Sequence, residues 1–421
     1  MSPYDPLKNR EILHSTSTFG ALAHMIKACL GAGLFAMPMA IKYCGLVLGS
    51  INTIIIAGLC AHGMHLLVKT SRLMCVRTKQ PKMNYMETTA TTFETAKSDK
   101  IKNLSRPMEI FVTIALIGCY YGISCVYIIL MASSLKQEVD AYIGTTDVRL
   151  YILMLAIPLI VIGQIRALKF LMPFSTLGNL LLFCCCIIIL WDIFTGELNF
   201  NQNLLPTKFN HIPLYISIVV FAMEPIGVTL VIENEMENPK DFTNSFGVIN
   251  IACGIIGILY TSIGVLGYAR YGDETNPSVT LNLPQGSGIS IAVQIMIIIS
   301  VYFSFGLNFY VASDAVWSLV NEMSSFLESI VRFWIVAACI GLAILIPEIG
   351  SFIGLVGALF LSTLGFILPA LLDIVASWPD GLGKFKWILF KDIFLMMFGL
   401  VALISGTVAS IHDIIELYKK N

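Results

Sequence analysis

Apolar runs of about 20 residues recur along this chain, separated by short polar or turn-rich stretches, and that recurrence leaves few folds open. In hydrocarbon every backbone N–H and C=O must find its partner inside the protein, so such runs cross the bilayer as helices. The composition agrees, with 57% hydrophobic and 13% charged residues and a mean hydropathy of +0.81. Soluble domains carry about a quarter charged residues. A net charge of -1 without a long block of one sign excludes nucleic acid as a partner. Most of the eleven cysteines, including Cys184, Cys185 and Cys186, lie in apolar runs and read as small packing residues. His62 and His65 have no matching second pair of ligands, so neither a metal nor another cofactor is expected.

Two of the runs are built to break. Residues 22–43, LAHMIKACLGAGLFAMPMAIKY, carry Gly31, Ala32 and Gly33 in their middle and Pro38 beyond. Residues 221–236, FAMEPIGVTLVIENEM, place Glu224 and Pro225 inside an apolar stretch, followed by Gly227. Broken helices are tolerated in lipid only where the freed backbone groups face protein or water. Taken singly, either break reads first as a packing glycine or a proline bend. As a pair they mark spans 1 and 6, the spacing expected of two five-span halves with inverted topology.

The expected architecture is an all-α membrane protein of about eleven spans with a 5+5 inverted repeat. A polar tail covers 1–19, the first repeat 20–193, an outer loop 194–210 and the second repeat 211–374. A loop, the eleventh helix and a short tail occupy 375–421. Within the first repeat, 71–106 reads as a basic loop with a short surface helix near 85–95, and span 4 covers 150–163. A polar connection is expected to precede span 9 at 333–346. Lysine and arginine concentrate on the side of Arg10, Arg72, Arg166, Lys240, Arg332 and Lys391, which makes that side cytoplasmic, with an outer or lumenal C-terminus. The N-terminal stretch lacks the basic region and cleavage site of a secretory signal.

At such breaks, half-helix ends meet near the bilayer midplane. The amides of Gly31, Ala32 and Gly33 would meet a carboxylate at a positive helix end. Carbonyls before Gly31, at Ala28 and Cys29, and around Phe221 and Ala222 would accept from an ammonium group. The expected substrate-binding set is therefore Ala28, Cys29, Gly31, Ala32, Gly33, Phe221, Ala222, Glu224 and Gly227, which suits a small zwitterion. A carboxyl at a helix centre costs roughly 2.5–3.5 kcal/mol on insertion scales, so Glu224 is paired, neutral or functional. No selectivity-filter sequence marks a channel, and no nucleophile–base set marks an enzyme.

The same residues carry a resemblance. HMIKACLGAGLFAMPMAIKYCGLVLG is similar to the first span of the amino acid/auxin permease family, in its proton-coupled amino acid transporter branch. MHLLVKTS, FAMEPIGVTLVIENEMENPKDF, FSFGLNFYVASDAV and AILIPEIGSFIGLVGALFLSTLGFILPALLDI continue it. The resemblance implies a LeuT-type fold importing small neutral amino acids with H+ rather than Na+ at the plasma membrane or a lysosomal membrane. It places the family's proton-linked histidine at His24, with a histidine hydrogen-bonded within the bundle as the structural alternative; Glu224 is the second coupling candidate from its place in an apolar span, with hydrogen bonding to the amides freed around Pro225 and Gly227 as its structural alternative. A sensor that retains the fold with little flux, signalling to a cytoplasmic partner, is the rival reading. Cys29 stands where the family has asparagine, Val231 where it has proline, and Ala312 where proline is usual in span 8. Cys29→Asn is expected to alter substrate range or affinity in an uptake assay; unchanged selectivity and affinity would remove Cys29 as their determinant.

Overall fold

The computed structural model describes residues 4–7, 9–10, 15–166, 168–223, 225–317, 324–379 and 381–420. The helices are α1 (Thr18–Cys29), α2 (Ala32–Cys44), α3 (Leu46–Thr78), α4 (Tyr85–Glu94), α5 (Asp99–Lys102), α6 (Ser105–Ile143), α7 (Val148–Met154), α8 (Ala156–Gly163) and α9 (Leu168–Thr195). They continue as α10 (Ile212–Met223), α11 (Ile226–Asn234), α12 (Val248–Tyr271), α13 (Gly288–Trp317), α14 (Ser325–Leu345), α15 (Ile349–Val356), α16 (Leu368–Ser377) and α17 (Trp387–Lys420). Among the described residues nine helices are long and apolar enough to cross a membrane, or ten when the bent pair α1 and α2 counts as one span.

The expected fourth span is the pair α7 and α8. Pro158 has no N–H to give to Met154, and its ring crowds that carbonyl, which explains why α7 ends there. Together the pair rises only about 24 Å, short of a typical hydrocarbon core. It nevertheless runs the length of α14. At one end the Gln164 side chain donates to the Ser329 carbonyl at 3.3 Å, and at the other Val148 and Pro347 wall the same cavity.

The two broken spans lie side by side in opposite directions, since α1 packs against α11 and α2 against α10. That antiparallel pairing is what an inverted repeat requires. Span 10 is also irregular. Between α15 and α16 the chain widens into π-helical turns at Gly357–Leu361 and Thr363–Ile367. Gly357 there abuts the Ser217 carbonyl of α10, and the Gly365 carbonyl abuts Gly63 of α3.

Several polar stretches are more helical than their charge suggests. The segment 71–106 is mostly helix rather than loop: α3 runs on to Thr78, and α4, α5 and the start of α6 fill much of the rest. α4 opens on a capping box in which the Asn84 side chain accepts from the Glu87 amide and Glu87 accepts in return from the Asn84 amide. Its inner face is buried rather than lying on the surface, and the Tyr85 hydroxyl donates to the Leu364 carbonyl of the π segment at 2.7 Å. Likewise α14 begins at Ser325, eight residues before the expected span. Its Arg332 is buried because Glu328 pairs with it at 2.8 Å and the Gly163 and Ile165 carbonyls lie at 3.4 Å. Long helices absorb charge here wherever a neighbour supplies a partner. Lys69, for instance, reaches Asp373 at 2.7 Å, and Lys391 bridges Asp373 and Asp392 at 3.6 and 2.9 Å.

Tyr85→Phe removes one buried hydrogen bond and is expected to cost about 1 kcal/mol of stability. Thermal unfolding of the detergent-solubilised protein measures it, and an unchanged midpoint would count against the contact.

Candidate substrate site at the crossing of the two broken helices

The first break is a true interruption. α1 starts at Ser17, whose hydroxyl accepts from the Gly20 amide at 3.1 Å, and ends when Leu30 turns extended. Gly31 is extended too (φ -163°, ψ -158°), and α2 leaves it at 58° to α1. The Leu34 amide bonds the Gly31 carbonyl at 3.2 Å. Gly31 has no side chain to cap α2, and the amides of Ala32 and Gly33 have no acceptor within their own helix. At the second break α10 stops at Met223, and Pro225 opens α11 by accepting from the Val228 amide at 3.1 Å and the Thr229 hydroxyl at 3.2 Å. Glu224 lies outside the described residues.

The breaks touch each other. A Cβ added at Gly33 would lie 2.6 Å from Ala222 Cα, so only glycine lets α2 and α10 come this close. Around this contact Cys29, Ala32, Gly33 and Ala222 are buried, Gly31, Phe221 and Gly227 are half-buried, and Ala28 is exposed. His24 is exposed on the same helix face as Ala23 and Ala28, and Lys27 is half-buried beside them. The fold thus brings Gly33 and Ala222 of the two broken spans together, with His24 one to two turns away along α1.

Three tyrosines that sequence reasoning did not single out complete the crossing. The Tyr260 hydroxyl, from the middle of α12, donates to the Cys29 carbonyl at 2.5 Å. One of the carbonyls expected to stand open for an ammonium group therefore already receives a hydrogen bond. Tyr127 and Tyr120 lie seven residues apart on one face of α6. A Cβ at Gly31 would lie 3.5 Å from the Tyr127 hydroxyl, and one at Gly227 would lie 2.6 Å from that of Tyr120. Each break is therefore faced by a phenol. The available signal was a tyrosine in the middle of an apolar span, where its hydroxyl must find a partner. Chemically, the crossing offers amides at a positive helix end together with hydroxyls that donate or accept.

Both ends of the bundle are closed over by ordered contacts. At the tail end, where the N-terminal segment lies, Thr16 pairs with the chain after α11: its amide donates to the Glu235 carbonyl at 2.9 Å, and the Glu237 amide donates back at 3.0 Å. Glu233 of α11 is 1% exposed and binds two arginines, Arg10 at 2.9 Å and Arg72 of α3 at 2.9 Å. Arg10 also donates to the Pro81 carbonyl at 3.0 Å, and Arg72 to the Thr243 hydroxyl at 2.9 Å. At the opposite end Lys42 of α2 donates to the Asp273 carbonyl at 2.6 Å. There the first amides of α3 bond the carbonyls of Asn203 and Leu204 at 2.9 and 3.1 Å.

Gly33→Leu would drive a side chain into the backbone of α10, and is expected to abolish uptake while leaving protein in the membrane. Uptake and surface or membrane abundance measured together decide this, and full uptake would refute the contact.

The sequence profile of the family described as transmembrane amino acid transporter protein matches residues 14–412. The chain is 33% identical over 430 residues to the proton-coupled amino acid transporter-like protein pathetic of Drosophila melanogaster, covering 99% of this chain and 89% of that protein. It is 22% identical to the probable amino acid transporter skat-1 of Caenorhabditis elegans, over 99% of this chain and 93% of the other. Among solved structures, the inward facing conformation of Mhp1 aligns with a TM-score of 0.53 at 12% identity, over 97% of this chain and 92% of that one. That likeness supports the LeuT-type arrangement of helices. By the extent of the profile match and the relatedness to pathetic, the chain belongs to the transmembrane amino acid transporter family, whose members move solutes rather than catalyse reactions.

Proposed function

We propose that the chain carries small neutral amino acids together with protons by alternating access, with the N-terminus on the cytoplasmic side. The observation that carries this reading is the contact of Gly33 with Ala222, which sets the two half-helix ends against each other with the tyrosines around them. The amides of Ala32 and Gly33 take the substrate carboxylate, and carbonyls near the breaks take its ammonium group. His24, one to two turns from the break along α1, and Glu224, the residue before Pro225 in the sequence, are the coupling groups.

The energetics allow it. One pH unit supplies about 1.4 kcal/mol per proton, and about 100 mV adds about 2.3 kcal/mol. Together these sustain a several-hundredfold gradient of a neutral solute, at about 1.4 kcal/mol per factor of ten. A second reading, an amino acid sensor with little flux, gains support from the fastening of the N-terminal segment to α11 through Thr16 and Arg10, which would pass a change at the break to the tail.

The test is flux of a panel of labelled amino acids into proteoliposomes, with and without an inward pH gradient and with sodium replaced. Accumulation driven by the pH gradient and indifferent to sodium is the expected result. Binding without flux would favour the sensor, and sodium dependence would overturn proton coupling. In the same assay Glu224→Gln is expected to flatten the pH dependence of uptake; an unaltered profile would remove Glu224 as a coupling group.

A further inference from the structure

Two carbonyls at the break in span 1 are already engaged, that of Cys29 by the Tyr260 hydroxyl at 2.5 Å and that of Gly31 by the Leu34 amide at 3.2 Å. An oxygen without such a claim on it comes from α13. The Tyr127 hydroxyl of α6 stands 3.5 Å from where a Cβ on Gly31 would lie, and the Asn308 side chain lies within hydrogen-bonding reach of that hydroxyl. α6 and α13 pack against each other. A single phenol thus separates the Asn308 carboxamide from the break.

The carboxamide is held in one orientation. Phe305, Phe309 and Ala312 beside it are buried, whereas Asn308 shares a half-buried face of α13 with Ser304, Val311 and Ala315. Its nitrogen donates to the Ser304 carbonyl at 3.0 Å. A carbonyl can only accept, so the nitrogen rather than the oxygen of the amide must face it. Among the described residues the carboxamide oxygen receives no hydrogen bond, and it is not one of the polar atoms sealed off in the interior. A carboxamide in an apolar span is costly unless its polar atoms are answered. Here the helix answers the nitrogen and leaves the oxygen open.

We propose that the Asn308 carboxamide oxygen accepts from the ammonium group of the substrate, and so selects amino acids over acids of the same shape that lack one. The assignment rests on the reading of the crossing as a zwitterion site, with the carboxylate on the amides of Ala32 and Gly33 and the ammonium group turned toward α13. An ammonium group has three N–H donors, so the carbonyls of the breaks and this oxygen can share it. An amide oxygen is also a neutral acceptor. It binds the cationic end of a zwitterion without setting a second negative charge beside the carboxylate.

The experiment measures binding of L-alanine and glycine to the full chain in lipid nanodiscs, each against its hydroxy acid, L-lactate or glycolate, which keeps the carboxylate and replaces the ammonium group by a hydroxyl. The unaltered protein should prefer the amino acid. Asn308→Leu should shrink that preference about tenfold or more, the worth of one hydrogen bond to a charged group, while the hydroxy acid binds about as before. Asn308→Asp keeps an oxygen in place and loses the N–H to Ser304, so it should retain the preference. A residue that only tied α13 to its neighbours would weaken both ligands alike and leave their ratio unchanged. An unchanged ratio in Asn308→Leu overturns the proposal; should that variant fail to elute as a single folded species, loss of the preference in Asn308→Asp overturns it instead. If the unaltered protein binds neither amino acid, the zwitterion reading of the crossing falls together with this assignment, whereas binding with an unchanged ratio removes Asn308 alone.

Discussion

A polar backbone inside hydrocarbon has to be answered by the protein itself, and the arrangement of this chain follows from how that demand is met at two interrupted helices. Gly31 and Pro225 each open the second half of an interrupted span. Neither interruption is tolerable alone. Set against each other, with Gly33 on Ala222 and tyrosines from α6 and α12 around them, the two gaps share one polar locus walled by intact helices. The same rule explains the π segment of span 10, where the Tyr85 hydroxyl answers the Leu364 carbonyl.

Charge is handled by the same logic at the tail end. Glu233, Asp373 and Asp392 are buried, and each has a lysine or arginine within reach, from another part of the chain or, for Asp392, from the neighbouring Lys391. Burying one ion of such a pair alone would be costly, so the partners are ordered together. Helices can therefore run beyond the hydrocarbon core carrying their charges with them, as α3 does past Lys69.

Spans, the two breaks and their correspondence were legible in the sequence because apolar length, glycine and proline act locally. The limits of the helices were not, since charge in 71–106 and ahead of 333 reads as loop until Glu233 and Glu328 are seen beside it. The division of span 4 into α7 and α8 was not anticipated, although the missing amide of Pro158 carries it. The tyrosines of the crossing were hidden for another reason. Tyr260 meets a carbonyl 231 residues away, and no local pattern encodes that encounter. Arg10 is equally remote, 223 positions from Glu233.

The shared carboxylate of Glu233 also has a kinetic meaning. Because Arg10 belongs to the N-terminal segment and Arg72 to α3, separating α11 from either one strips a charge-assisted bond from a buried anion while the other still holds it. Each such bond is worth about 1.5–3 kcal/mol, or roughly one to two powers of ten in rate if broken on the way to a transition state. Any motion that parts α11 from the N-terminal segment therefore has to break a bond to a residue remote from it in the sequence.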